Sequence, residues 1–240
     1  MGGTAAASTP RGLGVREAVR DDAAARAVVW TAVAAMLVQT AVGAANEFTL
    51  ESPFLNPDEE GSLFQLVTAA VTAAAGAAAA AHAIIHPARR RRFGVLSAIL
   101  FYFACDDVFV LHEGMGEAVG ESLFGLSGHI AVRLWILLLA PLLAAAFLLI
   151  AAEALRADRG LRNVLLGGLG ALVAAVVVEV GGAVTRSPSF IERVSGKPET
   201  LRYLLEEALE LGGWILLAGG LWVLLSARAD VEVGADARTT

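Results

Sequence analysis

Long apolar blocks and short polar breaks alternate along this chain of 240 residues. Six blocks, near 28–45, 63–85, 93–111, 130–152, 161–184 and 201–225, carry few charges. Each holds about 18–25 residues, which at about 1.5 Å per residue suits a hydrocarbon core of about 30 Å. No two-residue alternation of apolar and polar positions competes with helix. The pattern predicts an all-α fold, a polytopic bundle of six transmembrane helices over 27–226. A flexible arm (1–26), rich in Gly, Ala, Arg and Asp, precedes it, and a flexible tail (227–240) follows.

The polar breaks add local detail. Asn56, Pro57 and the acids after them have the chemistry of a helix start, so the second helix is expected to begin early. Lys197, Pro198 and Glu199 open the sixth span in the same way, and Pro141 should kink the fourth. The arm is too long and too mixed in charge for a standard signal sequence. Val42, Gly43 and Ala44 would pass as a cleavage site, but the first span is expected to be a retained anchor.

Arginine placement sets an expected orientation. The arm holds Arg11, Arg16, Arg20 and Arg26; the second loop holds Arg89 to Arg92, and the fourth Arg156, Arg159 and Arg162. Residues 47–61 and 113–128 contain no Lys or Arg, whereas the fifth loop departs from the pattern with Arg186, Arg193 and Lys197. The positive-inside rule then puts both termini in the cytoplasm of a cell-membrane protein. Arg89 to Arg92 would fix topology and touch anionic lipid.

Composition agrees with a bilayer environment: 57 % of residues are apolar and 18 % charged, below the charge content of ordinary soluble domains. The formal charge of −6 resides largely in tails and loops. No basic face interleaved with aromatics points to nucleic acid, so the expected partner is the lipid bilayer. Small-residue faces on the second and fifth spans would fit a homo-oligomer. The single cysteine, Cys105, excludes an intrachain disulfide and any Cys-based zinc motif, and is expected in the core.

Candidate chemistry lies in acids embedded in apolar sequence. Asp106 and Asp107 close the third span, with His112 and Glu113 just beyond; Glu179 interrupts a Val-rich run; Glu206, Glu207 and Glu210 open the sixth. A charge at the bilayer centre costs at least about 2.5–3.5 kcal/mol, so such residues seldom face lipid and mark function. Helical rise puts Asp106 roughly 20 Å, Glu210 roughly 24 Å and Glu179 roughly 27 Å above the inner boundary. Arg133 enters from the other side, about one turn deep. These groups should share one layer of the outer leaflet. Asp106 and Glu113 fall on one helical stripe, as do Glu206 and Glu210. Glu179 continues a small-residue stripe through Gly167, Ala171 and Ala175, which would face a neighbouring helix. Gln39, Asn46, Gln65, Thr72, Asp107, His129 and Glu207 would line the same pocket. The inner half has almost no ionisable side chain.

Carboxylates crowded beside Arg133 and Arg202 would hold protons or a cation. With His112 beside them, Asp106, Glu113, Glu179 and Glu210 form a ligand set suited to zinc, iron or manganese. The expected function is a divalent metal site supporting a membrane-embedded hydrolytic or redox reaction. Asp106, Glu113, Glu206 and Glu210 would be its acid–base groups. Two alternatives use the same acids. A structural or pH-sensing protein would centre them on Arg133, and a proton- or cation-coupled transporter would need polar groups in the inner half as well. The Glu206–Glu207 pair superficially resembles the double glutamate of intramembrane CAAX-type proteases. No histidine follows His129, so that pattern is incomplete. His82 and His86 have metal-ligand spacing on a helix but no acid nearby in sequence; an interfacial position is expected for them.

Overall fold

A computed structural model describes residues 11–57, 59, 61–125, 135–184 and 198–236, and among these the chain is helical with no strand. Seven helices follow in order: α1 (Arg11–Ala45), α2 (Leu63–Ile85), α3 (Arg90–Phe109), α4 (Leu111–Phe124), α5 (Trp135–Ala154), α6 (Arg159–Val184) and α7 (Pro198–Asp236). Among the described residues, five segments are long and apolar enough to cross a membrane: Ala23–Leu50, Leu63–Ile85, Leu137–Ala154, Arg159–Glu179 and Thr200–Ser226. The α3–α4 pair, bent by 90°, makes a sixth if it is counted as one span.

Local chemistry explains several departures from the sequence pattern. α1 starts at Arg11 and α7 continues to Asp236, so the segments expected to be a flexible arm and tail are largely helical. Their Ala and Arg content favours that state. α2 does not begin at Asn56. Its N-cap is Ser62, whose hydroxyl accepts the Gln65 N–H at 3.2 Å, while the Gln65 side-chain oxygen accepts the Gly61 N–H. This reciprocal arrangement follows the logic of a capping box. The third span is broken: Val110 adopts a left-handed conformation (φ 51°) and its N–H closes on the Asp106 carbonyl at 2.7 Å. Most of the expected third loop is therefore helix α4, and the stripe that would have aligned Asp106 with Glu113 is interrupted. α5 runs through Pro141 as one helix. Residues 185–197 of the fifth loop lie outside the described residues.

Helix α7 is the central post, packed against α1, α2 and α6. Two glycine pairs, one heptad apart, allow this. Gly212 and Gly219 receive Met36 and Val28 of α1, while Gly213 and Gly220 receive Leu172 and Leu165 of α6. A β-carbon on Gly213 would stand 2.8 Å from Leu172 and 3.1 Å from the Gly168 carbonyl; one on Gly168 would stand 3.0 Å from the Gly213 carbonyl. The two backbones therefore meet directly, as small residues permit in apolar surroundings.

Polar side chains fasten the remaining helices through backbone carbonyls. Ser97 on α3 donates to Gly76 O at 2.9 Å, and Trp222 on α7 donates to Ala74 O at 3.2 Å. His82 is fully buried, stacks on Phe93 at 4.4 Å and places Nε2 3.2 Å from Leu221 O. It ties α2 to α7, and His86 is buried beside it, their rings 5.5 Å apart. The largest fully buried apolar side chains are Phe93, Leu96, Leu100, Ile150, Leu165, Leu217 and Leu221, and they mark the centre of the core. Cys105, expected inside, is exposed.

If the α6–α7 approach holds the bundle, Gly213→Val should destabilise it by roughly 1–3 kcal/mol, the usual cost of overpacking. Gly170→Ala, where a β-carbon meets nothing within 4 Å, should leave thermal stability in detergent unchanged. Equal melting temperatures for the two variants would contradict the assignment.

Candidate functional site

The α6–α7 seam leads to the site. On α7 the positions facing α6 are Gly213, Leu217 and Gly220; on α6 their partners are Leu172, Gly168 and Leu165. The alternating three- and four-residue steps match a heptad seam. Carried one heptad on from the Leu172–Gly213 contact, the same register sets Glu179 opposite Glu206. Glu210 continues the α7 face one turn before Gly213. The seam thus passes from glycine and leucine to carboxylates.

A cavity of about 500 Å³ opens there. Asp106 and Asp107 enter it from the last turn of α3, Glu179 from α6, and Glu206, Glu207 and Glu210 from α7. Glu59 of the first loop and Gln65 and Thr68 of α2 complete the polar lining. The apolar wall includes Leu139, Leu143 and Phe147 of α5. Phe103, Leu139, Leu172 and Trp214 belong both to this lining and to the core, so the wall is the edge of the core. The Phe103 and Trp214 rings lie 6.4 Å apart.

Charge is one-sided within the cavity. No Lys, Arg or His contributes to its lining among the described residues. Asp107 is repelled by Glu210 and by Asp106. Asp106 is buried, Trp214 Nε1 donates to Glu210 Oε1 at 3.3 Å, and Arg202 donates to Glu206 Oε2 at 2.8 Å from outside the lining. Two buried oxygens, Thr68 Oγ1 and Asp107 Oδ2, have no hydrogen-bond partner among the described residues. Unsatisfied buried polar atoms are uncommon and call for an explanation.

A family model described as Domain of unknown function (DUF8692) matches residues 22–228. The chain belongs to that family. No curated protein and no solved structure matches it. The DUF8692 match covers each of the seven described helices in whole or in part, including every residue of the cavity lining.

Other residues expected at the site are placed differently. Gln39, Asn46 and Thr72 are buried but do not line the cavity. Asn46 Oδ1 accepts the Ser52 N–H at 2.8 Å, Thr72 donates to Thr68 O at 2.9 Å, and the Gln39 amide has no hydrogen-bond partner among the described residues. The side chains of His112 and Glu113, and all of His129 and Arg133, lie outside the described residues. Among those described, no three His, Cys, Asp or Glu groups converge closely enough to hold a metal ion. Asp106, Glu179 and Glu210 share a cavity without forming a ligand set.

Two buried or half-buried acids escaped the sequence pattern. Glu153 is 3 % exposed and joins Arg89 (2.6 Å) to Arg156 (3.1 Å). Its position three residues before Arg156, flanked by alanines, was the available signal. Glu47 accepts from Tyr203 Oη at 3.0 Å and from Thr200 Oγ1 at 3.3 Å, tying the end of α1 to the start of α7. That link positions the turn carrying Glu206 and Glu207. Tyr203→Phe should lower stability by roughly 1 kcal/mol, the usual net worth of such a hydrogen bond. Chemical denaturation in mild detergent reads this, and an unchanged midpoint would remove Glu47 from the account.

Proposed function

We propose that the cavity recognises an amphiphilic organic cation, a hydrophobic amine or quaternary ammonium compound, within a multi-pass membrane protein. The supporting observation is the combination in one space of seven carboxylates (Glu59, Asp106, Asp107, Glu179, Glu206, Glu207 and Glu210), no cationic lining residue among those described, and a wall of leucines and aromatic rings. Ligand pockets of about 300–1,000 Å³ with mostly apolar walls and a few convergent polar groups are typical of small-molecule sites. A cationic head would be matched by the carboxylates and by the faces of Phe103 and Trp214, and the apolar body by Leu139, Leu143 and Phe147. The arginine distribution supports cytoplasmic termini, and with them a cavity that opens to the outside.

The role is recognition rather than a continuous conduit. Beneath the cavity lies the packed core of Leu100, Leu165, Leu217 and Leu221, and the polar side chains beside it, Ser97 and His82, are engaged with helix carbonyls. A zinc, iron or manganese centre for hydrolytic or redox chemistry lacks a converging ligand set among the described residues and enters the test as the competing outcome.

Calorimetric titration of the protein in mild detergent, with tetraphenylphosphonium and with the equally sized anion tetraphenylborate, separates these readings. The cation should bind and the anion should not. Asp106→Asn combined with Glu210→Gln should weaken the cation by at least about tenfold, or about 1.4 kcal/mol. Equal binding of the two ions would show an apolar pocket indifferent to charge. Stoichiometric metal in the parent that disappears in the double variant, without cation binding, would replace this proposal by the metal centre.

A further inference from the structure

The run Arg89 to Arg92 divides into residues with different partners. Arg89 reaches across to α5 and pairs with Glu153, which also holds Arg156. Arg90 and Arg91, in the first turn of α3, are exposed and have no ion-pair partner among the described residues. Both line a shallow groove of about 750 Å³ between α2 and α3. Its walls are apolar, formed by Ala80, Ala83 and Ile84 of α2 and by Gly94 and Val95 of α3. Ile84 is 79 % and Val95 54 % exposed, and a β-carbon on Gly94 would meet nothing within 4 Å. The one hydroxyl present, Ser97, donates to Gly76 O and does not offer its proton to the groove.

We infer that this groove is a binding site for a single anionic phospholipid, its phosphate held by Arg90 and Arg91 and the upper part of an acyl chain lying along Ala80, Ala83, Ile84, Gly94 and Val95. The argument is one of charge and shape together. Guanidinium groups bind phosphate oxygens through paired N–H donors, and two on one helical turn offer them side by side. A free phosphate would need the arginines alone. The apolar floor that continues from them along both helices suits a ligand with a hydrocarbon tail. Gly94 keeps that floor open where any larger side chain would fill it. The site is independent of the carboxylate cavity, whose residues it does not share.

This differs from a diffuse attraction between basic residues and a charged membrane surface. Arg92 is exposed beside the others but does not line the groove, which makes it the internal control. Native mass spectrometry of the full chain in detergent, titrated with phosphatidylglycerol or phosphatidylcholine, reads the number and affinity of bound lipids. One phosphatidylglycerol should be retained in preference to phosphatidylcholine. Arg90→Gln with Arg91→Gln should weaken it by roughly 10- to 30-fold, as expected for two arginine–lipid attractions. Gly94→Leu, which removes no charge, should weaken it comparably, and Arg92→Gln should have little effect. An equal loss with Arg92→Gln would overturn the site in favour of a diffuse basic surface. Retention in Gly94→Leu would remove the acyl groove. Displacement by excess inorganic phosphate would show an anion site with no lipid specificity.

Discussion

Direct backbone contact between α6 and α7 is the constraint on which the remaining structure depends. Gly168 and Gly213 bring the two helices together so closely that a β-carbon on either would press on the other's carbonyl. Such an approach fixes the rotation of α7 about its axis as well as its distance. Rotation matters because α7 bears two different faces: Gly212 and Gly219 accept α1, and Gly213 and Gly220 accept α6. A turn of the helix by one residue would exchange those faces and carry Glu210 away from α6. The carboxylate-lined cavity is thus a consequence of glycine placement below it.

The two ends of the bundle manage charge in opposite ways. Near the start of α3, Glu153 is buried but joined to two arginines, and His82 is packed against Phe93 and placed beside a carbonyl. Those groups have protein partners and hold helices together. In the cavity, seven carboxylates share one lining that holds no basic residue among those described, and Arg202 reaches Glu206 from outside it. Gathering carboxylates in one lining raises the local negative charge, which a cationic ligand would offset in addition to the partners these acids have within the chain. The aromatic and aliphatic wall would favour the proposed organic cation over a bare inorganic ion.

Much of the helical architecture was legible from the apolar blocks, because block length and the lack of strand-like alternation are properties of sequence alone. That Asp106, Glu179 and Glu210 would come together was also readable from helical rise. What failed were assumptions of uniform helix. Asp106 and Glu113 were aligned on an unbroken helix, but Val110 turns the chain there. Steps of four from Glu179 selected Gly167 and Ala171. The actual seam alternates steps of three and four through Leu172, Gly168 and Leu165, because 3.6 residues per turn drifts off any fixed interval of four. Cys105 was assigned to the core from its neighbours, yet its face of α3 is exposed. The apolar wall from α5 was unreadable, since an all-apolar helix carries no periodicity to show which side it turns inward.

Charge-selective access to the cavity is the central claim, and cysteine modification tests it most directly. In a Cys105→Ser background, Glu207→Cys would be treated in intact cells and in inverted vesicles with cationic and anionic methanethiosulfonate reagents of similar size. The account predicts faster reaction with the cation by at least about tenfold, a difference of about 1.4 kcal/mol in barrier. It also predicts access from the outer face alone and protection by tetraphenylphosphonium. Equal rates for the two reagents, or reaction only from the cytoplasmic face, would contradict it.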